Sequence, residues 1–186
     1  MPSFLPDNVM QAHHDFIRRT PVQAYANRVH RHGESFFEVT AIGFVHATPE
    51  QAWQVLTDYE HLHEFVPDLR SVRVLSRNED GVVVEQTSSA GFLFVAQVIR
   101  MRLQIEERPH STIDVTMLDG DMKRYRTHWE LDPLEQDGER GTRVSFSGAM
   151  EPGFFVPPLV GRGIVQANLK KTVEAVVAEI ERRNMH

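Results

Sequence analysis

The amino-acid sequence predicts an α+β fold in which an antiparallel β-sheet of about seven strands is covered by one long C-terminal α-helix, with two short helices after the first main strand. Three observations support this prediction. Runs with period-two alternation of apolar and polar residues follow one another over residues 71–150, separated by short turn sequences. A helix-start signal, Thr48-Pro49-Glu50, interrupts the strands near the front of the chain. A single helical pattern over residues 157–183 follows the last strand.

Length and composition indicate one soluble globular domain. At 186 residues the chain is long enough to bury a single hydrophobic core, and no apolar run reaches the roughly 18 residues that a membrane-spanning helix needs. A net charge of −6 argues against a nucleic-acid partner, because such surfaces need clustered Lys and Arg. The absence of cysteine excludes thiol catalysis, thiolate metal sites and disulfides.

Two regions are distinguished along the chain. Residues 1–21 mix proline, histidine and polar residues and are interpreted as an N-terminal arm, whereas residues 22–186 form the single domain. The first ten residues carry Pro2, Pro6 and Asp7 where a secretory signal would have a basic segment followed by an apolar one. We therefore expect a cytoplasmic protein.

The front of the domain is predicted to be a hairpin followed by a helix. Residues 22–32 and 36–46 are strand-like and flank a turn sequence, HGE, at residues 32–34. Thr48 is a good N-cap for the helix. Pro49 fits the first helical position, where its missing N–H leaves no hydrogen bond unmade.

This first helix is amphipathic and leads into a second short one. Its buried face is expected to hold Ala52, Trp53, Val55 and Leu56. Asp58 is placed to cap the second helical turn, which carries Tyr59, Leu62 and Phe65, and Pro67 ends it.

Six strand-like runs follow, and the turn chemistry between them predicts antiparallel pairing of neighbours. The runs are residues 71–76, 82–88, 92–106, 112–118, 122–131 and 142–150. Alternation gives each run one polar and one apolar face. The apolar faces of the last four runs hold Ile99, Met101, Leu103, Ile105, Ile113, Val115, Met117, Tyr125, Thr127, Trp129, Leu131, Val144, Phe146, Gly148 and Met150. The sheet is therefore expected to have one wet and one buried face.

The buried face needs a cover, which the last helix supplies. Apolar residues at helical spacing on this helix are Val165, Leu169, Val173, Val176 and Ile180. Near its start, Gly161, Gly163 and Ala167 are small, while large side chains such as Trp129 are expected to face them. Two interpretations remain open: the mismatch leaves an apolar void of the kind in which ligands bind, or it lets the helix approach the sheet closely around a dry core.

Three segments carry a resemblance to a known family: ATPEQAWQVLTDYEHLHEFVPDLRSV at residues 47–72, GTRVSF at 141–146 and EPGFFVPPLVGR at 151–162. Together with the order of elements, they resemble the polyketide cyclase/dehydrase and lipid-transport group of the START/Bet v 1-like (SRPBCC) superfamily over about residues 36–183. Coenzyme Q-binding proteins and ribosome-association toxins are relatives within this superfamily. The resemblance implies a helix-grip fold, in which the curved sheet holds the long helix around an apolar cavity.

The function that this resemblance implies is binding or transport of a small hydrophobic ligand, such as a lipid, an isoprenoid quinone or a polyketide-like molecule. Two alternatives remain open. One is a cyclase/dehydrase-type enzyme that acts on such a ligand through Tyr125, Thr127 or Asn168, and the other is a protein-interaction module of the ribosome-association toxin kind. No Ser-His-Asp set, phosphate loop or inward carboxylate pair is visible, so no catalytic residue is predicted. No cofactor is implied, and the ligand and the oligomeric state stay open.

The cavity is expected between the sheet and the last helix, with its mouth between residues 53–69 and an apolar loop that holds Phe154 and Phe155. This loop is suited to cover the cavity, to contact a membrane or a protein transiently, or to plug the core. The residues expected to line the cavity are Trp53, Tyr59, Phe65, Gln86, Met101, Leu103, Val115, Met117, Tyr125, Thr127, Trp129, Phe146, Met150, Phe154, Phe155, Leu159, Ile164 and Asn168.

Histidines and arginines outside the cavity allow two further hypotheses. His30 and His32 alternate along a strand and would project together, but further ligands are not evident, so no metal site is predicted. His128 is expected on the wet face. A basic stripe on the convex face, partly neutralised by Glu85, Asp114 and Glu130, is the basis of the interaction-module alternative. The stripe comprises Arg100, Arg102, Lys123, Arg124, Arg126 and Arg143.

Overall fold

The computed structural model describes residues 22–92, 95–136 and 138–185. The predicted N-terminal arm, residues 1–21, lies outside the described residues. The elements in chain order are β1 (Gln23–Arg31), β2 (Glu34–Val45), α1 (Pro49–Leu56), a 3₁₀-helix (Tyr59–Glu64), β3 (Leu69–Asn78), β4 (Gly81–Phe92), β5 (Val95–Arg108), β6 (Thr112–Gly120), β7 (Met122–Gln136), β8 (Glu139–Pro152) and α2 (Gly161–Arg183).

The strands form one antiparallel sheet in the order β1-β2-β8-β7-β6-β5-β4-β3. The sheet is curved and unclosed, and α2 packs on its inner face, so the architecture matches the predicted helix-grip fold. The described sheet has eight strands, against the prediction of about seven. The hairpin of β1 and β2 is present, with Gln23 opposite Ile42 and Arg31 opposite Glu34.

The start of α1 confirms the predicted cap. The Thr48 side chain accepts a hydrogen bond from the Gln51 backbone N–H, and the Gln51 side chain accepts one from the Thr48 N–H at 2.8 Å. Pro49 occupies the first turn. This reciprocal capping box satisfies two backbone donors that the helix leaves unpaired and fixes where the strand path changes into a helix. The four predicted buried residues of α1 are buried.

The predicted role of Asp58 was only partly right. Asp58 does occupy the N-cap position of the 3₁₀-helix, but its side chain makes no capping hydrogen bond. The carboxylate lies 2.6 Å from His61 Nδ1 and accepts a hydrogen bond from Arg183 at 2.9 Å. Burial raises the pKa of Asp58, but these two partners outweigh it and hold the pKa below its usual value. Asp58 therefore ties the 3₁₀-helix to the end of α2.

The core side of α2 follows the predicted spacing, since Leu169, Val173, Val176 and Ile180 are buried. The small residues have other roles than predicted. Gly161 is buried, and a Cβ there would lie 2.4 Å from Val156 Cγ1, whereas Gly163 and Ala167 face solvent. Small residues therefore do not create a void opposite Trp129.

Two apolar clusters explain how α2 is held. One comprises residues of β1, β2, β8 and the first half of α2, including Phe37, Val39, Leu169 and Val173. The other comprises residues of α1, β3–β6, part of β7 and β8, and the second half of α2. α2 packs mainly against β1 and β2, on one side of the curved sheet. Space therefore remains between α2 and the inner faces of β4–β7.

The end of α2 carries a charged cluster with a testable pH dependence. Glu179 accepts hydrogen bonds from Arg182 and Arg183, each at 2.7 Å. The Arg182 hydrogen bond is the largest cause that lowers the pKa of Glu179, to about 2 from the ordinary 4.5. Because the pKa is lowered on folding, the stabilisation that it provides is fully present above pH 4.5 and is lost as the pH falls towards 2.

Glu179→Gln is expected to remove this dependence. In urea unfolding between pH 7 and pH 2, the variant should lose less stability than the wild type between about pH 4.5 and pH 2. Glu174→Gln is the matched control. Glu174 is half exposed on the same helix, and its ion pair with Lys170 is long, at 3.8 Å. Equal slopes for wild type and Glu179→Gln in this window would contradict the prediction.

Candidate ligand-binding cavity

An apolar cavity of about 310 Å³ lies between the inner face of the sheet and α2. Its wall comes from the 3₁₀-helix and the segment after it, from the inward faces of β3–β8, and from one face of α2. The curvature of the sheet and the position of α2 over β1 and β2 produce this space. Because a cavity exists, the dry-core interpretation of the helix does not hold.

Eleven of the eighteen residues that the sequence analysis placed at the cavity form part of its wall. These are Tyr59, Gln86, Leu103, Val115, Tyr125, Thr127, Trp129, Phe146, Met150, Phe154 and Asn168. Most of them lie on strands, where period-two alternation determines which face a side chain takes. Trp129 and Phe146 are cross-strand partners, and their rings meet edge to face at 4.8 Å.

Four other predicted residues pack in or beside the core and lie off the cavity wall. Trp53 meets His110 edge to face, with 6.0 Å between ring centroids. The Arg183 guanidinium lies over the Phe65 ring. Met101 is buried but opposite Gly120, beyond a register shift between Arg102 and Leu103, and Met117 precedes the same irregularity on β6. Alternation persists along β5, and Met101 and Met117 both pack in or against the core, but neither lines the cavity wall.

The remaining three predicted residues lie in or near the loop before α2. Phe155 is 78% exposed and Leu159 is 99% exposed, so neither reaches the cavity. Ile164 is half buried on α2, off the face that lines the wall. From this region only Phe154 and, on α2, residues from Val165 onward contribute.

The wall also contains residues outside the predicted set of eighteen, although Leu62 and Val66 lie in the segment predicted at the mouth of the cavity. These further wall residues are Leu56, Leu62, Val66, Pro67, Asp68, Leu69, Val72, Val84, Ser88, Ser89, Ile99, Ile105, Ile113, Met122, Pro152, Val165, Leu169, Thr172 and Val176. A signal existed for several of them: Val84 and Ser88 alternate with Gln86 on β4, and Ile99 and Ile105 share the face of Leu103. The others depend on how the segment after the 3₁₀-helix folds over the sheet.

One comparison with known proteins decides the family. The sequence profile described as polyketide cyclase / dehydrase and lipid transport matches residues 45–177. The chain belongs to this family. The matched region runs from the end of β2 into α2 and contains every residue of the cavity wall named above. The sequence has no significant match among proteins with curated annotation.

Solved structures share the fold of this polyketide cyclase/dehydrase and lipid-transport family member. A START superfamily protein from Mycobacterium smegmatis is 16% identical, with a TM-score of 0.67 over 79% of this chain and 99% of its own. The Zhui aromatase/cyclase from Streptomyces sp. R1128 is 19% identical, with a TM-score of 0.60 over 78% and 94%. A STAR-related lipid transfer protein from Xanthomonas axonopodis is 16% identical, with a TM-score of 0.62 over 87% and 94%. Identities this low show a common fold.

Tyr59 and Tyr125 differ in the hydrogen bonds of their hydroxyl groups. The Tyr59 hydroxyl donates to Glu107 Oε1 at 2.7 Å, and the Arg77 guanidinium lies over the ring. Burial, followed by Glu107, raises the pKa of Tyr59. Burial also raises the pKa of Tyr125, and the Thr127 hydroxyl opposes this rise. Both tyrosines line the wall, but the Tyr59 hydroxyl is already bonded to Glu107, whereas Tyr125 is a protonated phenol on the wall.

Histidines do not form a metal site in the part of the chain that the structure describes, where no cluster of three or more potential ligands occurs. His30 lies on β1, but His32 is in the following turn with a φ of 53°, so the two do not alternate along one strand. His128 Nδ1 lies 2.8 Å from Asp114 Oδ1, near the outer surface. None of the described helices is long and apolar enough to cross a membrane.

Four members of the basic stripe, Arg102, Lys123, Arg124 and Arg143, form ion pairs with acids other than the three predicted, although the charge of Glu130 also acts on Arg143. Arg102 pairs with Asp119, Arg124 with Glu34, and Arg143 with Asp132 at 2.7 Å. Glu85 and Asp114 instead pair with Arg73 and His128. These exposed pairs reduce the positive field on the convex face.

Proposed function

We propose that the protein binds and carries a small hydrophobic ligand, of the lipid, isoprenoid quinone or polyketide-like kind, in the cavity between the sheet and α2. The observation that carries the proposal is the apolar cavity of about 310 Å³ between the sheet and α2. Leaving such a space empty costs on the order of several kcal/mol relative to a filled core. An apolar ligand regains this free energy because it is removed from water and makes van der Waals contacts with the wall.

The family and the structural neighbours support a binding role. The family description names lipid transport as well as cyclisation, and one neighbour is titled a lipid transfer protein and another an aromatase/cyclase. Both activities need a chamber that holds an apolar molecule away from water. The acidic net charge of −6 gives no support to a nucleic-acid partner.

The exposed loop before α2 supports transient contact of this carrier with a membrane or a protein. Phe155 and Leu159 are large, apolar and exposed, and they follow Phe154, which lines the cavity. Apolar groups in this place would meet an apolar surface while the ligand enters or leaves. The proposal places the carrier in the cytoplasm, which cell fractionation checks.

Saturable binding of apolar molecules is the expected result that tests the proposal. Native mass spectrometry of the purified protein, and calorimetric titration with naphthalene, decanol and a short-chain ubiquinone, should show one ligand per chain. The Trp53→Phe variant keeps Trp129 as its single tryptophan. Because Trp129 lies on the cavity wall, the same ligands should change its fluorescence. The proposal would be refuted if no probe gave a bound mass, saturable heat or a saturable change in fluorescence.

A cyclase/dehydrase-type reaction is the second candidate, favoured by the polar groups that Tyr125, Thr127 and Asn168 bring to the wall. Because its pKa is raised, Tyr125 would donate a hydrogen bond to a carbonyl oxygen rather than accept a proton as a base. A dehydration would release a product lighter by one water than the bound molecule. Unchanged ligand mass after prolonged incubation supports the carrier.

A further inference from the structure

The two ends of the cavity differ in exposure. At one end, named the buried end, the wall consists of almost fully buried apolar side chains from five elements. These are Leu56, Val84, Ile105, Ile113 and Val176. At the other, named the loop end, the wall includes Pro67 and Asp68, which are exposed, and Pro152 and Phe154, which are half buried. A ligand therefore contacts buried apolar side chains at one end of the cavity and partly exposed loop residues at the other.

Strand register fixes the direction of three elements along this axis. β5 and β6 lie between β4 and β7 in an antiparallel sheet, so β4 and β7 run in opposite directions. The loop end is therefore reached by rising residue numbers on β4 and by falling residue numbers on β7. α2 begins at the loop end. The site of a Cβ on Gly161 is 3.5 Å from Phe37, and Phe37 pairs with Met150, which pairs with Tyr125.

Along all three elements, polar wall residues follow an apolar one in the direction of the loop end. From the buried end to the loop end, the wall residues are Val84, Gln86 and Ser88 on β4; Trp129, Thr127 and Tyr125 on β7; and Val176, Thr172 and Asn168 on α2. Apolar wall residues also occur at the loop end: Ile99 is the cross-strand partner of Ser88, and Met122 on β7 and Val165 on α2 lie beyond the polar residues. The hydrogen-bonding groups of the wall are thus collected on one side of the ligand space.

The polar groups at the loop end can serve a ligand. Among the described residues, the side-chain amides of Gln86 and Asn168 have no hydrogen-bond partner. Each amide can donate and accept, and the protonated Tyr125 hydroxyl can do both as well. Polar groups in an apolar cavity stay costly until they are paired, so a ligand oxygen beside them is stabilising.

The charge of the wall selects against ions. Among the wall residues that the structure describes, Asp68 is the one that carries a charge, and no Lys, Arg or His faces the cavity. A carboxylate or phosphate on the ligand would find no cation and would be repelled by Asp68. Transfer of an unpaired ion from water into such a space is strongly unfavourable.

The volume limits the size of the ligand. An apolar protein cavity of roughly 150 Å³ accommodates one benzene. At about 310 Å³, this cavity has room for about two such rings or one chain of similar volume. The volume of a lipid with two long acyl chains exceeds that of the cavity.

We infer that the ligand is an uncharged amphipathic molecule with a single chain or two fused rings, whose one hydroxyl or carbonyl group lies at the loop end beside Tyr125, Gln86 and Asn168. Its apolar end occupies the buried end next to Trp129 and Val176. This inference rests on the proposed binding function and adds the class and the orientation of the ligand. The amphipathic ligand enters with its apolar end first.

The first test compares decanol with decanoate, which have chains of equal length and differ in the charge of the head group. At pH 7 decanol should bind at least about tenfold more tightly, because the ionised carboxylate has no counterion on the wall. Near pH 4, where a carboxylic acid of ordinary pKa is more than half neutral, the difference should narrow. Equal affinity at pH 7, or tighter binding of decanoate, would overturn the inference.

The second test locates the polar end. Asn168→Leu should weaken decanol binding by about fivefold to tenfold, the effect of losing one hydrogen bond in a buried site, while naphthalene, which has no polar group, should keep its affinity or gain. Asn27→Leu is the matched control, because Asn27 is exposed on β1. If Asn168→Leu leaves the decanol affinity unchanged, the head group does not lie there.

The third test measures orientation. In Trp53→Phe, heavy-atom quenching of Trp129 should be stronger with ω-bromodecanol than with 2-bromodecanol, since the bromine of the former lies at the buried end. The reverse order would overturn the orientation. Naphthalene separates the two proposals: if it binds but decanol shows none of these preferences, the carrier function stands and the inference fails. If no apolar probe binds, the carrier function fails with it.

Discussion

Thr172→Phe is expected to abolish ligand binding while the protein stays folded. Thr172 lies on α2, half buried, and its side chain forms part of the cavity wall. A phenyl ring in this place would take up about half of the 310 Å³, if one ring needs roughly 150 Å³. Apolar probes should then bind about a hundredfold more weakly or not at all, which corresponds to about 2.7 kcal/mol.

Stability separates a filled cavity from a damaged fold in this variant. The ring enters existing space and is removed from water there, so the thermal midpoint should stay equal or rise. Ala178→Phe is the matched control, because Ala178 is exposed on the same helix, and the added ring there should leave binding unchanged. Wild-type affinity in a stable Thr172→Phe protein would show that ligands bind outside this cavity.

The fold could be predicted because its signals are local. The capping box at Thr48 and Gln51 depends on residues three positions apart, and the stripe from Leu169 to Ile180 depends on one helical period. The hairpin turns likewise depend on a few neighbouring residues. Such patterns are complete within one element, so they can be read from a sequence without knowing what the element packs against.

The cavity wall was predicted in part, for a related reason. Tyr125, Thr127 and Trp129 lie on the wall, since a regular strand presents alternate residues to one face. Met117 packs against the core but is not part of the wall, and alternation along a strand does not distinguish these two positions. Phe155 and Leu159 failed because hydrophobicity alone does not show whether a loop residue turns inward or towards solvent.

The existence of the cavity follows from geometry that no single pattern contains. The sequence argument derived a void from Gly163 and Ala167, but both face solvent. The space arises because α2 is clamped over β1 and β2 while the sheet curves away under β4–β7. Tertiary contacts between elements far apart in the chain decide this position. The cluster around Phe37 is therefore the structural cause of the cavity.

Phe37→Ala is expected to be among the most destabilising single substitutions in the protein. Phe37 is 2% exposed, and its ring lies under the Arg28 guanidinium and against the start of α2 at Gly161. Removal of a fully buried phenyl ring costs about 3–5 kcal/mol, from the lost burial and from the space left behind. Urea unfolding should show a loss of this size with an unchanged m-value.

An exposed residue on the same strand is the control that separates the contact between Phe37 and α2 from a general effect of substitutions in β2. Ile42 on β2 is 43% exposed, and Ile42→Ala should cost less than about 1 kcal/mol. Because Phe37 is not on the cavity wall, the folded Phe37→Ala protein should bind decanol, and excess ligand should restore part of its stability by mass action. If Phe37→Ala lowered the free energy of unfolding by less than about 1 kcal/mol, other contacts would hold α2 in place.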